Sequence, residues 1–327
     1  MVKRVGIEGV GAYVPQRVLT NKDLEKMVDT TDEWITTRTG IKERRIAEDW
    51  QASSDLAFEA AKMALERAKI EPEDLDLIIV CGVTFDYPFP ATACILQDKL
   101  GARKAGAMDI EAGCTGFIYS LSVAYGYVAA GVYENVLVVG SDVLSKVTDW
   151  QDRSSCILFG DAAGAAVVST YKGQGELLNF YLRSDGSRVD DLLIPAGGSR
   201  NPASHKTVEE RLHYMKLNGP EVFRLAVRVI EDAVLAVLEK ANLSKEEISL
   251  FIPHQANIRI INTAARNLGI PEEKFFVNVQ RYGNTSAASI PLALYEALEE
   301  GRIKSGDYVM LVGFGAGLTW GAYLIRW

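Results

Sequence analysis

The chain has little of what metal, disulfide or nucleic-acid chemistry requires. Its 327 residues include only three histidines and four cysteines. Cys81, Cys94, Cys114 and Cys156 show no Cys-x-x-Cys spacing, which argues against zinc and against a disulfide scaffold. No two histidines stand at ligand spacing, so a metal site is not expected. A formal charge of −8 argues against general nucleic-acid binding. No uninterrupted apolar run reaches the ~18 residues of a membrane span, and the longest, 117–130, carries Ser, Tyr and Gly. Residues 1–7 enter a strand pattern with no signal-peptide core, so a cytoplasmic protein is expected. The composition that remains is that of a globular enzyme, long enough for one large or two ordinary domains.

In chain order, residues 5–14 read as a strand ended by Pro15, and 20–25 as a short helix. Thr30-Thr-Asp-Glu33 fits a capping box, with Trp34 opening a helical turn toward Arg38 and Gly40. Ser53-Ser54 caps an amphipathic helix over 55–69. Residues 77–80 form a fully apolar strand, of the kind buried on both faces of a parallel sheet. A Pro-rich loop, 85–90, leads to a helix ending near Leu100. Residues 107–110 read as a strand, followed by a tight turn at Gly113. The next segment, 118–131, has no polar face, so it predicts a helix through the middle of the molecule. Residues 136–139 and 159–168 are further strands, and 172–175 a linker.

The second half repeats the first. Residues 55–79 match 228–252 at a constant offset of 173, with Leu56 over Val229, Leu65 over Leu238 and Leu77-Ile-Ile over Leu250-Phe-Ile. Residues 109–131 lie over 279–301, and 136–140 over 309–313. Self-similarity on this scale means a duplicated α/β unit, divided here as 1–172 and 173–327. Two mostly parallel sheets with a buried central helix pair between them make a five-layer α-β-α-β-α sandwich.

The duplication places Cys114 over Asn284, each opening a buried helix, and His254 over Cys81 at a strand end. Ligands in α/β sheets gather beyond the strand carboxyl ends, so all three are expected at one central cleft. Each has an ordinary alternative. Cys114 could be a small core cysteine, although a helix N-terminus would favour its thiolate. His254 could be a hydrogen-bonded structural residue and Asn284 a helix cap. Together they read as a thiol nucleophile with two donors for a carbonyl oxygen, and the Gly313-Phe-Gly-Ala-Gly317 turn could supply further N–H groups.

Six segments then carry a resemblance: Asp32-Glu-Trp-Ile-x-x-Arg-Thr-Gly-Ile41, Cys114-Thr-Gly-Phe117, Phe159-Gly-Asp161, Pro253-His-Gln-Ala-Asn257, Gly283-Asn-Thr-Ser286 and Gly315-x-Gly-x-Thr-Trp-Gly321. In this order the chain resembles the β-ketoacyl–acyl carrier protein synthase III enzymes of the thiolase superfamily. The resemblance implies a thiolase-like fold and an acyltransferase that condenses an acyl-coenzyme A primer, acetyl first, with malonyl-acyl carrier protein. It implies Cys114, His254 and Asn284 as the catalytic triad, and the N–H groups of Cys114 and Ala316 as the oxyanion hole. Ala316 departs from a glycine common in the family, and Gly315 is the other candidate donor. The resemblance further assigns Trp34, Arg38, Arg153 and Asn257 to coenzyme A. Arg259, Arg266 and Arg224 form an expected dock for the acidic carrier protein, with Arg228 equally readable as solvated surface. Phe89, Phe159 and Phe314 are expected to line the acyl pocket, Phe89 reaching into the partner of a homodimer. No resident cofactor is implied. A Cys–His–Asn hydrolase, a non-catalytic thiolase-fold protein and a condensing enzyme with another primer or acceptor are the rival readings.

Overall fold

The computed structural model describes residues 3–327. The main strands are β1 (Val5–Tyr13), β2 (Leu77–Cys81), β3 (Gly106–Ile110), β4 (Asn135–Asp142), β5 (Ala162–Thr170), β6 (Glu176–Ser184), β7 (Ile248–Pro253), β8 (Tyr308–Gly315) and β9 (Thr319–Arg326). The principal helices are α1 (Asp32–Thr39), α2 (Ser53–Ala68), α3 (Thr92–Leu100), α4 (Gly116–Ala129), α5 (Gly219–Ala241), α6 (Ile258–Leu268) and α7 (Ser289–Glu299).

The nine strands run in the order β7-β8-β9-β6-β1-β5-β4-β2-β3. The run β2-β4-β5-β1 and the run β7-β8-β9-β6 have the same order. In each, the first pair is parallel and the next two are antiparallel. That is the duplication in three dimensions. The two runs meet through a single residue pair, Gly6 with Glu176. Only the first run carries a full extra edge strand, β3; in the second this is reduced to a lone bridge between Phe251 and Phe275. The sheet is mixed, where mostly parallel pairing was expected. β8 returns as β9 through a tight turn, and an antiparallel return needs no crossover helix.

Strand periodicity explains the layers. Ile78 and Val80 of β2 face α2 and α3, whereas Leu77, Ile79 and Cys81 face the central helices. In β8, Met310 and Val312 pack under α5 and α6, while Val309 and Leu311 face inward. The helices α4 and α7 therefore lie between the two runs of strands, with α2/α3 and α5/α6 outside, completing five layers. Phe117, Ile118, Leu121, Ala124 and Val128 of α4 are fully buried, which is why that helix could dispense with a polar face.

Three local expectations shift. The cap of α1 is Thr31, accepting from Trp34 N–H, so the register lies one residue beyond the Thr30 capping box. Ser53 and Ser54 lie inside α2, whose first free N–H, on Ala52, is taken by the Asp55 carboxylate. The two serine hydroxyls instead bond Ser141 and Asp86, tertiary partners that local pattern could not reveal. Finally, β5 begins at Ala162, because Phe159 and Gly160 leave the ladder to hold Asn284.

Candidate active site

Cys114 sits in a 3₁₀ turn, Gly113–Thr115, immediately before α4. This turn touches the turn after β8: a Cβ on Gly315 would stand 2.4 Å from the Cys114 nitrogen, and one on Gly113 would stand 2.7 Å from the Ala316 nitrogen. The Thr319 hydroxyl straps the two together, donating to Ala112 O at 2.8 Å with Ala316 O at 3.1 Å beside it. No main-chain acceptor among the described residues takes the N–H of Cys114 or of Ala316. Burial pushes the Cys114 thiol up to about 12, with the nearby Ser286 hydroxyl pulling the other way. The expected thiolate is thus a thiol at rest. Apolar enclosure of the sulfur outweighs a helix that starts only at Gly116.

Asn284 is fixed by main-chain bonds on both sides. Its N–H donates to Leu158 O at 2.8 Å, and its carbonyl accepts from Gly160 N–H at 3.0 Å. Gly283 makes the approach possible: its φ is +65°, and a Cβ there would meet Leu158 O at 2.7 Å. The Asn284 Oδ1 caps the following turn by accepting from Ser286 N–H at 2.9 Å, which leaves its amide N–H₂ free to donate. The anchoring segment is secured in turn by Asp161, whose buried carboxylate accepts from Ala47 N–H at 2.7 Å and from Ser145 N–H at 2.8 Å.

His254 follows β7 and is 2 % exposed. Its ring meets the edge of Phe314 at a centroid distance of 5.3 Å, and its Nδ1 lies 2.6 Å from Ser289 Oγ. Burial lowers its pKa to about 3, so the imidazole is neutral.

Cys114, His254 and Asn284 line one cavity, together with Phe159, Phe314, Gly315 and Ala316. A second chamber of about 410 Å³ opens behind Cys114, walled by Leu144, Leu192, Leu193, Ile194 and Met215. Phe159 borders both spaces; Phe314 borders only the first, beside His254. Phe89, 85 % exposed on the loop before α3, lines neither. The aliphatic walls of the second chamber escaped the sequence reading, since nothing marks a Leu as pocket rather than core. Arg188 and Asp191, at the first cavity's mouth, were likewise not foreseen.

The expected coenzyme A residues fall in two places. Trp34 carries the Arg38 guanidinium 4.4 Å and the Arg153 guanidinium 4.9 Å from its ring. Asn257 caps α6 by accepting from Arg259 N–H and also lines the cavity. Of the expected docking arginines, Arg259 and Arg266 are exposed without an ion-pair partner among the described residues, Arg259 lying 5.7 Å from the Phe223 ring. Arg224 is instead paired with Glu221 at 2.6 Å, which shares its charge with Arg188.

The model of the 3-oxoacyl-[acyl-carrier-protein (ACP)] synthase III family matches residues 108–186, and the model of that family's C terminal matches 238–327. The beta-ketoacyl-[acyl-carrier-protein] synthase III of Caldanaerobacter subterraneus subsp. tengcongensis is 56% identical over 322 residues, 98% of this chain and 97% of that protein. Its namesake in Symbiobacterium thermophilum is 54% identical over 326 residues, 100% of this chain and 99% of that protein. The crystal structure of 3-oxoacyl-[acyl-carrier-protein] synthase III from Aquifex aeolicus VF5 matches with a TM-score of 0.91 at 49% identity, covering 99% of this chain and 100% of that one.

Proposed function

Since the chain belongs to the β-ketoacyl-[acyl-carrier-protein] synthase III family, we propose how its own residues carry out the condensation of an acyl-coenzyme A primer with malonyl-acyl carrier protein. The observation that carries the assignment is the common cavity of Cys114, His254 and Asn284. In the first half-reaction Cys114 Sγ attacks the primer thioester. The N–H groups of Cys114 and Ala316, neither taken by a main-chain acceptor among the described residues, stabilise the oxyanion. Cys114 reacts as its thiolate, and the proton it gives up is taken by the departing coenzyme A sulfur, so the exchange balances without a net proton change. In the second, malonyl-acyl carrier protein enters. His254 and Asn284 donate hydrogen bonds to its thioester carbonyl as carbon dioxide leaves, and the resulting enolate carbon attacks acyl-Cys114. The products are 3-ketoacyl-acyl carrier protein and a Cys114 thiolate, which takes up a proton.

The geometry also weighs against the hydrolase. A Cys–His–Asn hydrolase needs its Asn behind the imidazole to orient it as a base. Here the far ring nitrogen meets Ser289, and Asn284 shares the cavity wall with His254 instead. Trp34 and Arg153 are proposed to hold the adenine, with Arg38 on the phosphates and Asn257 on the pantetheine arm. Arg259 and Arg266 are the proposed carrier-protein dock, and Arg224 is a minor member because Glu221 neutralises it. Acetyl is the proposed primer, seated in the chamber behind Cys114. The enzyme is proposed to be a cytoplasmic homodimer: Tyr87 and Phe89 make an exposed apolar knob that a second copy would cover.

The test is to supply acetyl-coenzyme A with malonyl-acyl carrier protein labelled at the methylene carbon. The label should appear in a 3-ketoacyl product in step with released carbon dioxide. Thioester hydrolysis with no new carbon–carbon bond would contradict the assignment.

A further inference from the structure

A neutral imidazole carries one N–H, and its position decides whether His254 donates to the substrate or takes a proton from it. Ser289, the first residue of α7, is buried with its Oγ 2.6 Å from His254 Nδ1. That oxygen already accepts the N–H of Gln255 at 3.4 Å. Among the described residues the Ser289 hydroxyl has no other acceptor in reach, so its proton points to Nδ1. No carboxylate contributes to the ring's environment, and burial alone sets its charge.

Resting on the condensation reading above, we infer that Ser289 is a positioning residue that holds His254 as its Nε2–H tautomer, making it a hydrogen-bond donor for the malonyl thioester carbonyl. The same bond denies the Cys114 thiol a basic nitrogen. Ser289 therefore serves decarboxylation and leaves primer transfer alone. This separates it from a side chain that merely fills the core, whose loss would depress both steps together.

Three histidines make the ring nitrogens assignable by isotope-edited NMR of histidine-labelled protein. In the intact enzyme His254 Nδ1 should resonate as the unprotonated, pyridine-type nitrogen and Nε2 as the N–H. Ser289→Ala should mix or reverse that pattern. It should slow malonyl-acyl carrier protein decarboxylation by about tenfold or more and leave Cys114 acylation by acetyl-coenzyme A within about twofold. Ser289→Thr, which keeps the hydroxyl, should restore both the spectrum and the rate. An N–H on Nδ1 of the intact enzyme would overturn the inference without reference to any variant. So would an unchanged tautomer in Ser289→Ala, or equal loss in both half-reactions. Failure of the parent reading looks different: the unsubstituted enzyme would then form no acyl-Cys114 at all.

Discussion

Gly315→Ala tests the oxyanion hole through main-chain contact alone. The added Cβ would fall 2.4 Å from the Cys114 nitrogen, 3.0 Å from the Thr115 nitrogen and 3.1 Å from the Gly113 carbonyl carbon. All three are backbone atoms, so no side chain can swing aside. Bringing the shortest contact to 3.0 Å means parting the two turns by about 0.6 Å, the difference from 2.4 Å. The Ala316 N–H rides on the displaced turn, and an oxyanion donor works only within ~2.7–3.1 Å of the developing charge. A misplacement approaching 1 Å costs about 10²-fold, and losing the donor outright costs ~3–4 kcal/mol. Acylation of Cys114 by acetyl-coenzyme A, followed by rapid quench and intact mass, should therefore slow by about 10²-fold. Decarboxylation of malonyl-acyl carrier protein, assigned to His254 and Asn284, should fall far less. Overpacking of this kind also destabilises by about 1–3 kcal/mol, so thermal unfolding must confirm that the variant is folded. A folded Gly315→Ala enzyme that acylates at the parent rate would refute the proposed hole.

Reversing the charge of Arg259 and Arg266 together should raise the KM for malonyl-acyl carrier protein by about tenfold at low salt, sparing acylation by acetyl-coenzyme A; equal losses in both would place the carrier protein elsewhere. Trp34→Ala should raise the KM for acetyl-coenzyme A by about tenfold while leaving turnover of an acetyl-pantetheine lacking the nucleotide unchanged. Burial lifts the Asp161 carboxyl to about 6 from an ordinary 3.8. The unfolded chain gives up that proton at lower pH, so this contribution to stability is full below pH ~4 and lost as pH rises through ~6. Asp161→Asn should consequently gain about 2 kcal/mol relative to the parent between about pH 4.5 and 7.5 in urea unfolding. A constant difference across that range would mean that Asp161 is ionised throughout.

The duplicated apolar pattern made the layers and the common cavity legible, because two copies of a βα unit related by a pseudo-twofold bring equivalent strand and helix ends together. That logic placed Cys114 opposite Asn284 with His254 nearby, all now lining one space. It could not show what holds them. The Asn284 anchor is a lone bridge to Phe159, in a segment whose apolar residues looked like an ordinary strand. Arg44 was also invisible. It is fully buried, donates to Leu19 O, Asn21 Oδ1 and Ile157 O, and so supports the same segment from behind. Such bonds join residues from about twenty to more than a hundred positions apart and leave no periodic trace. For Cys114, helix position is a local cue that favours the thiolate, whereas the enclosure that raises its pKa is built by both halves.

The most direct measurement is the mass of the peptide containing Cys114 after exposure to acetyl-coenzyme A and again after a chase with malonyl-acyl carrier protein. One acetyl group should appear on Cys114 alone, persist in buffer, and vanish on the chase as an equal amount of 3-ketobutyryl-acyl carrier protein forms. An unmodified Cys114, an acetyl group on another residue, or an adduct that water discharges without carrier protein would contradict the shared cavity as the seat of condensation.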